Sequence, residues 1–553
     1  MNNAEFVWSG DAPPQRLTHV FFKRLLQLPA PPRSATLHLF AHTIYHLRVN
    51  GVMLGYGPAR SYPAFPEYDT YDLAPHLRAG ENTIAVDVGH TGFATFHHLP
   101  APGAMIAWGE IVCDSGAVAS LETPGDWQCA LSTAHAVAAP RFSFAIGPVQ
   151  IYDERLCPAQ WDTAAAGVRL DWQPPVVCAH HPFGPPRPRS IPHLTQDLRG
   201  AQSILRACRH SDDEEIHSFM LLQEYEPHLH VPPKTFAFAY TYLYSPRAQK
   251  VAAGVWWGEN YLNGRKLVLR ADEHGRNARS TAMLSLRKGW NYFCCHYQLV
   301  HGMWDMALAL PRTARVQLSA IRSRRSTPAF MLAGPLAPAL AEPLTARRMD
   351  APERLPELAG QWRVAACEDT HVSPCKAIAW RAHGAALPVS AGKVREIVLP
   401  PGGASLVVDM GAMTLGRVCV DYTAPRGTQL DVGGAEELAH GRPWLFKMPL
   451  MHSAERQIAR GGRARLESFE PRGARYLELA VARNRTPVTI HGIGMVSHVY
   501  PYQRRGWFEC SDPFFTTLWE YGWNTLRLCS EDVITDTPWR ERTLYGGDLL
   551  PEM

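Results

Sequence analysis

The sequence of 553 residues has no apolar run long enough to cross a bilayer, and its first residues lack the basic and apolar segments of a secretory signal. Net charge is also small, because 55 lysines and arginines face 51 aspartates and glutamates, which gives +4. No long basic block is present. The composition therefore predicts a cytoplasmic protein with a neutral partner, and it disfavours nucleic acid and membrane surfaces.

Metal-ligand and disulfide spacings are missing as well. The twelve cysteines include no Cys-x-x-Cys pair, and the 25 histidines include no His-Glu-x-x-His motif. We therefore expect no metal site, no disulfide framework and no cofactor. Neighbouring residues of a strand point to opposite faces, so Cys294 and Cys295 are predicted to be buried thiols on the two sides of one strand.

The sequence does contain short apolar and polar alternation, broken by glycine and proline, which is typical of β-sandwiches. One phrase occurs twice: a strand that enters an Asn-Gly turn, at Asn50 and again at Asn263, followed by a Gly-x-Asn segment that ends at Asn82 and at Asn291. Asn-Gly accepts the positive φ angles of a tight hairpin turn. We infer two copies of one jelly-roll-like sandwich.

These textures predict a mainly β chain of several sandwich domains that ends in helices. The predicted boundaries are an N-terminal sandwich at 1–181, a proline-rich linker at 182–196, a second sandwich of similar type at 197–334, a linker and bridging segment at 335–389, a third sandwich at 390–504 and a helical segment at 505–553.

The helical segment is predicted to begin with Ser511 as the N-cap and Pro513 in the first turn, where its missing N–H costs nothing. Large apolar residues then recur at three- and four-residue intervals, among them Phe515, Trp519 and Trp523. Such a face favours the first helix of a larger helical domain. The alternative is a single C-terminal helix packed against the third sandwich.

Carboxylates, two arginines and two large aromatics lie within the last twenty residues. The residues that stand out are Asp536, Trp539, Arg540, Glu541, Tyr545 and Asp548. Hydrolysis of a glycosidic bond requires a protonated carboxyl at the leaving oxygen and a second carboxylate. Burial against Trp539 or Tyr545 would favour the protonated form of a glutamate.

One local detail favours this interpretation, and another favours an alternative. The Gly546-Gly547 pair is expected to turn the chain and direct Asp548 back toward the cluster. In the alternative interpretation, Thr537 and Pro538 open another helix, and Glu541 merely lies near its positive end.

The order of several phrases resembles the bacterial α-L-rhamnosidases of glycoside hydrolase family 78. The phrases are Gly57-Pro58-Ala59-Arg60, Tyr68-Asp69-Thr70-Tyr71-Asp72, Asp409-Met410-Gly411, Phe469-Glu470-Pro471-Arg472 and Gly506-Trp507-Phe508-Glu509. The family's catalytic barrel of six paired helices carries a stretch that often reads Asp-Cys-Pro-Gln-Arg-Asp-Glu-Arg, followed by Gly-Trp-x-Gly-Asp. Asp536, Pro538, Arg540, Glu541, Arg542, Gly547 and Asp548 match it, whereas Thr537 and Trp539 depart from it and the spacing from proline to glutamate is one residue shorter.

The resemblance implies that Glu541 is the general acid and that Asp536, Arg540 and Asp548 hold rhamnose hydroxyls, with Trp539 and Tyr545 completing the substrate-binding set. It also implies that 1–181 is sugar-binding-like and that 505–553 starts an (α/α)6 barrel. The family inverts and takes its base from a second glutamate far downstream in the barrel.

Twelve barrel helices of about eleven residues each, with their loops, need well over a hundred residues. Because only the residues after Arg504 are left for them, the sequence predicts an N-terminal portion of an inverting hydrolase of terminal α-L-rhamnosyl groups, which is inactive alone. One alternative is a non-catalytic carbohydrate-binding protein made of several sandwiches. Another is an assembly subunit whose barrel comes from a second chain.

Overall fold

Three β-sandwiches followed by two C-terminal helices make up the chain, which confirms the predicted mainly β fold. The computed structural model describes residues 3–10, 17–137, 139–164, 170–211, 213–221, 236–255, 258–271, 279–298, 304–336, 358–367, 373–389, 394–447 and 451–552. Much of the predicted linker 335–389 lies outside these residues.

The N-terminal sandwich packs two antiparallel sheets against each other. One sheet contains Thr18–Leu28, Ile44–Val49, Val52–Gly57, Gly80–His90 and Gln128–Leu131. The other contains Val7–Trp8, Pro32–His42, Glu67–Asp72, Ala104–Cys113, Val118–Ser120 and Val176–Val177, and it is extended by the short parallel strand Arg187–Pro188. Alternating residues such as Phe22, Leu39 and Val86 form the buried core between the sheets.

The second sandwich repeats this architecture. Its first sheet contains Phe236–Ser245, Glu259–Leu262, Arg265–Lys266, Gly289–Gln298, Gln317–Ser319, Ala329–Leu336 and Arg363–Ala366. Its second sheet contains Glu214–Leu221, Gln249–Val255, Leu269–Ala271, Ser280–Leu286 and Trp304–Pro311. The hairpin at the Asn-Gly turn pairs with the same neighbouring strands in the same order in both sandwiches.

Identical asparagine contacts hold the hairpin in each copy. Asn50 has φ 50° and its amide donates to Asn82 Oδ1 at 3.0 Å. Asn263 has φ 49° and its amide donates to Asn291 Oδ1, also at 3.0 Å. The repeated phrase in the sequence is therefore a repeated hydrogen-bonded turn, which we call the asparagine clasp.

The second sandwich is an insertion within the third. Leu198–Gly200 and Ser203–His210, which the sequence placed at the start of the second sandwich, pair instead with Val488–Ser497 and Ala404–Ala424. The difference arises because alternation identifies a strand without identifying its partner. Here Ser203 pairs with Asp409 and Leu198 pairs with Val496, both far along the chain. We call residues 213–367 the inserted sandwich.

The third, C-terminal sandwich is built on one large sheet. Its strands are Ile151–Asp153, Leu198–Gly200, Ser203–His210, His383–Ala386, Ile397–Leu399, Ala404–Ala424, Gln429–Ala435, Ala454–Ile458, Gly462–Glu467, Arg472–Ala482 and Val488–Ser497. The helix Pro374–Ala379 packs on it, and Leu438–Ala439 pairs with Arg442–Pro443 as a separate hairpin. Since Ile151–Asp153 joins this sheet, the N-terminal and C-terminal sandwiches share strand pairing.

Two helices, Pro513–Leu528 and Gly546–Glu552, end the described chain. The N-cap of the first is Asp512 rather than the predicted Ser511, because the Asp512 carboxylate accepts from Phe514 N at 2.9 Å. Its predicted apolar face is largely exposed, with Phe515 at 50% and Trp519 at 45%. The face therefore does not pack against the C-terminal sandwich, as the alternative interpretation required.

None of the twelve cysteines, all of which lie in the described residues, forms a disulfide, and nine of them are buried. Cys294 and Cys295 pack into different apolar clusters on the two sides of their strand, as predicted. Within the described part of the chain, no helix has both the length and the apolar character needed to cross a membrane.

Candidate active site

The predicted acid cluster lies on an irregular loop between the two C-terminal helices, residues 529–545, which we call the acid loop. The loop closes on itself, since Thr535 N donates to Cys529 O at 2.7 Å and Asp536 N donates to Thr543 O at 2.8 Å. Thr537 and Pro538 begin no helix, so Glu541 is not a helix-terminus residue as the alternative interpretation held.

Two of the predicted site residues contact the carboxylate of Glu541. The Tyr545 hydroxyl donates to Oε2 at 2.5 Å, and Arg540 Nε lies 2.7 Å from Oε1. Burial, together with the Glu541 carboxylate, raises the pKa of the Tyr545 phenol to about 12. The side chain of Glu541 is only 10% exposed, so few solvent contacts compete with these two.

Asp536 stands beside this group. Its Oδ1 accepts from Thr543 N at 2.9 Å, which fastens the carboxylate to the far side of the acid loop. Burial raises the pKa of the Asp536 carboxyl, and the charge of Glu541 adds to the shift. The structure therefore brings Asp536, Arg540, Glu541 and Tyr545 together.

The other two predicted site residues are placed differently. Trp539 is 3% exposed and packs into an apolar cluster with Phe142, Ile146 and Met451, so its ring anchors the loop instead of facing a substrate. Asp548 lies exposed in the first turn of Gly546–Glu552, and none of the described hydrogen bonds or ion pairs joins its side chain to the cluster. The Gly546-Gly547 pair starts that helix and does not turn Asp548 back.

A buried charge network lies beneath the acid loop. Arg542 adopts a left-handed φ of 51°, and its guanidinium pairs with Glu531 and donates to Pro471 O at 2.8 Å. Burial alone would lower the pKa of Arg542, but Glu531 outweighs it and the net shift is upward. Asp532 pairs in turn with Arg60, whose charge overcomes the effect of burial and lowers the pKa of Asp532.

The N-terminal sandwich contributes residues that sequence reasoning did not assign to the site. His97 Nε2 lies 2.8 Å from Glu541 O, Ser143 Oγ lies 2.7 Å from Arg540 O, and Arg60 Nη1 lies 2.8 Å from Arg542 O. These contacts join residues that are 397 to 482 positions apart in the sequence. Of the three residues, the sequence singled out only Arg60, as part of a family phrase.

One group of residues in the described chain has the composition of a cation site. Donor atoms of His19, Asp87 and His135 lie within 4.8 Å of one another. However, His19 Nδ1 is hydrogen-bonded to Asp87 Oδ1 at 3.0 Å, and the two imidazole rings stack in parallel at 3.6 Å. Parallel rings direct their in-plane lone pairs side by side, so this arrangement does not converge on one ion, and we assign no metal here.

A polar cleft of about 820 Å³ separates the inserted sandwich from the C-terminal sandwich. Its walls include Glu214, Arg381, Arg456 and Arg485, and no residue of the acid loop contributes to them. The acid loop instead faces the N-terminal sandwich, so the cleft is not part of the candidate active site.

Comparison with known protein families finds two matching segments. Residues 503–551 match the family model described as the bacterial alpha-L-rhamnosidase 6 hairpin glycosidase domain, and residues 30–189 match the alpha-L-rhamnosidase N-terminal domain. The acid loop lies within the first segment and Arg60, His97 and Ser143 within the second. A search of curated proteins found no match.

One solved structure gives the same result over the whole chain. The crystal structure of a family 78 rhamnosidase from Bacillus sp. GL1 aligns with a TM-score of 0.81 and 26% identity, covering 100% of this chain and 60% of that one. An α-L-rhamnosidase from Dictyoglomus thermophilum aligns at 0.45 and 13% identity, covering 97% of this chain and 40% of that one. The predicted resemblance to α-L-rhamnosidases is confirmed, and the chain spans less than two thirds of these relatives.

Proposed function

We propose, for this α-L-rhamnosidase-like chain, that the acid loop supplies the acid half of an inverting glycosidase site that cleaves terminal α-L-rhamnosyl groups from glycosides. The observation that supports this most strongly is the environment of Glu541. Its shielded carboxylate is approached by Arg540 and Tyr545 and neighbours Asp536, within a segment that matches a six-hairpin glycosidase domain.

Each residue has a distinct task in this proposal. Glu541 gives its proton to the oxygen of the leaving group as the glycosidic bond breaks. Asp536 and Arg540 bind hydroxyls of the rhamnosyl ring, and Tyr545 holds the Glu541 carboxyl in place through its hydroxyl. Asp548, which lies exposed in the first turn of Gly546–Glu552, has no task in this proposal.

Inversion also requires a second carboxylate that activates water on the opposite face of the sugar. We propose that this base comes from a part of the barrel that the 553 residues do not include, and that these residues alone do not hydrolyse rhamnosides. The 60% coverage of the Bacillus relative supports this division.

The test compares two leaving groups in a polypeptide that includes the full barrel. Glu541→Gln should lower kcat on methyl α-L-rhamnopyranoside by about 10²- to 10⁴-fold, since general acid catalysis contributes on that order. The loss should be much smaller on p-nitrophenyl α-L-rhamnopyranoside, whose leaving group needs little protonation. Glu520→Gln, a change at an exposed glutamate paired with Arg504, is the matched control.

Equal losses on both substrates would remove Glu541 from the acid role. NMR of the first-formed sugar checks inversion, because an inverting enzyme releases β-L-rhamnose and a retaining one releases α-L-rhamnose. Binding of L-rhamnose by the 553 residues, without hydrolysis by the full-barrel polypeptide, would favour the carbohydrate-binding alternative.

A further inference from the structure

The acid loop contacts the N-terminal sandwich at Arg60. The Arg60 backbone N–H donates to Asp532 Oδ2 at 2.6 Å, and Arg60 Nε donates to Oδ1 at 2.7 Å. Side-chain exposure is 13% for Arg60 and 9% for Asp532, so the pair is largely shielded from water. An ion pair in such surroundings strongly disfavours separation of its partners.

Three successive carbonyls of the acid loop accept hydrogen bonds from the N-terminal sandwich. Ser143 donates to the carbonyl of residue 540, His97 to that of residue 541 and Arg60 to that of residue 542. Burial and the nearby arginine charges hold the pKa of His97 well below its ordinary value, so the ring is neutral. Because a carbonyl oxygen only accepts, the proton of this neutral ring lies on Nε2.

These contacts fix the backbone on both sides of Glu541. The left-handed φ of Arg542 is unfavourable for a residue with a side chain and persists only where its surroundings hold it. With carbonyls 540, 541 and 542 all held, the direction of the Glu541 side chain toward Tyr545 is also set.

We propose that Arg60, His97 and Ser143 are positioning residues, through which the N-terminal sandwich orients the carboxylate of Glu541. The proposal rests on the proposed function, because it treats Glu541 as the acid. It adds that the N-terminal sandwich is part of the catalytic apparatus, although none of the three side chains is one of the proposed reacting groups.

The test uses the 553-residue chain and needs no turnover. Hydrogen exchange of peptides within 529–545 is measured for the parent, for Arg60→Met and for two changes at His97. His97→Phe keeps a ring but removes the donor, whereas His97→Gln keeps a donor at an equivalent position. Loss of a hydrogen bond to a charged group corresponds to roughly 10- to 100-fold, so Arg60→Met should speed exchange by about that factor.

A second readout follows the Glu541 side chain directly. In protein labelled with ¹³Cζ-tyrosine, the Tyr545 resonance is assigned by its absence in Tyr545→Phe. Arg60→Met and His97→Phe should shift this resonance toward that of Glu541→Gln, and His97→Gln should restore the parent position. A purely structural role would leave the resonance unchanged while lowering stability.

Arg460→Met is the matched control. Arg460 pairs with Glu154 at 3.1 Å, joining the N-terminal part of the chain to the C-terminal sandwich without contacting the acid loop. It should change neither acid-loop exchange nor the Tyr545 resonance. If Arg460→Met has the same effects as Arg60→Met, or if neither readout responds to Arg60→Met, the positioning proposal is wrong.

The two proposals fail separately. In one outcome, exchange and the Tyr545 resonance respond as expected, but a full-barrel Glu541→Gln enzyme still cleaves the methyl glycoside. This outcome would overturn the acid assignment, and the positioning would then have no catalytic meaning. Loss of cleavage in Glu541→Gln, with acid-loop exchange indifferent to Arg60 and His97, would overturn only the positioning.

Discussion

The N-terminal and inserted sandwiches share the strand order around the hairpin and the same asparagine clasp, yet among the described residues only the N-terminal copy contacts the acid loop. The difference lies just after the shared hairpin. In the N-terminal copy the chain continues to Arg60, which is shielded against Asp532. In the inserted copy it continues to Val268, which is 82% exposed. The shared architecture therefore supplies a scaffold, and residues outside the shared hairpin, namely Arg60, His97 and Ser143, connect the N-terminal copy to the candidate site.

The largest expected difference concerns a buried ion pair of the N-terminal copy. Arg189 lies 2.6 Å from Asp69, which is fully buried and also accepts from Tyr45. Arg189→Met leaves that carboxylate without its cation and should cost about 3–5 kcal/mol. In the inserted copy, Arg279→Met breaks a partly exposed pair with Glu214 and should cost about 1 kcal/mol or less. Exchange of peptides from each sandwich measures both losses, and equal losses would contradict this account.

Acid should also destabilise the N-terminal copy more than the inserted copy. Burial lowers the pKa of His42 to about 4 and that of His90 to about 3. Both values lie below the ordinary 6.5, so the unfolded chain binds protons first, and stability that is complete above pH 6.5 is lost as the pH falls. At pH 5 the loss is about 2 kcal/mol per histidine.

The ratio of observed to intrinsic exchange rate should therefore rise more steeply from pH 7 to pH 5 for N-terminal peptides than for inserted-sandwich peptides. The double change His42→Asn and His90→Asn should reduce the excess slope by the share of these two residues, because burial also lowers the pKa values of His46, His97, His98 and His135. A slope that this pair of changes leaves intact would mean that other groups carry the acid response.

Loss of the asparagine clasp should lower the stability of both copies by the same amount. Asn82 accepts from Arg78 N and donates to Arg78 O and Gly80 O, and Asn291 makes the same contacts with Arg287 and Gly289. Asn82→Ala and Asn291→Ala should each cost about 2 kcal/mol, because buried groups lose their partners. Unequal costs, measured by exchange within each sandwich, would show that the clasp is not a common element.

The smallest effect concerns the contact between the acid loop and the C-terminal sandwich. A Cβ on Gly473 would lie 2.1 Å from Pro538 O, so Gly473→Ala must push the loop away, at roughly 1–2 kcal/mol. Gly200→Ala places a methyl group in open space and is the control. We expect faster exchange of peptides in 529–545 for Gly473→Ala and not for Gly200→Ala. Unchanged exchange in Gly473→Ala would mean that the loop adapts without loosening.

Local patterns predicted much of this fold. The Asn-Gly turns, the opposite faces of Cys294 and Cys295 and the helix after Pro513 all follow from neighbouring residues. The insertion could not be predicted in this way, because the partner of Ser203–His210 is set by burial across a long sequence separation. The predicted boundaries other than the start of the second sandwich, and the cytoplasmic location, stay predictions.

The candidate site was predictable only where its members are close in sequence. Asp536, Arg540, Glu541 and Tyr545 lie within ten residues and do come together. Trp539 could have pointed to either side of an irregular loop, and the packing of Phe142 and Ile146 decided in favour of burial. The contacts of Arg60, His97 and Ser143 with the acid loop have no local signal in the sequence, since their partners lie 397 to 482 residues away.

A double-mutant cycle between Arg60→Met and Asp532→Asn tests the central claim most directly, with the exchange of peptides in 529–545 as the readout. If the contact across the two domains holds the acid loop, the two changes are strongly non-additive, with a coupling of about 1–3 kcal/mol. Additive effects of the two changes would show that the N-terminal sandwich and the acid loop are held independently, and would contradict the account.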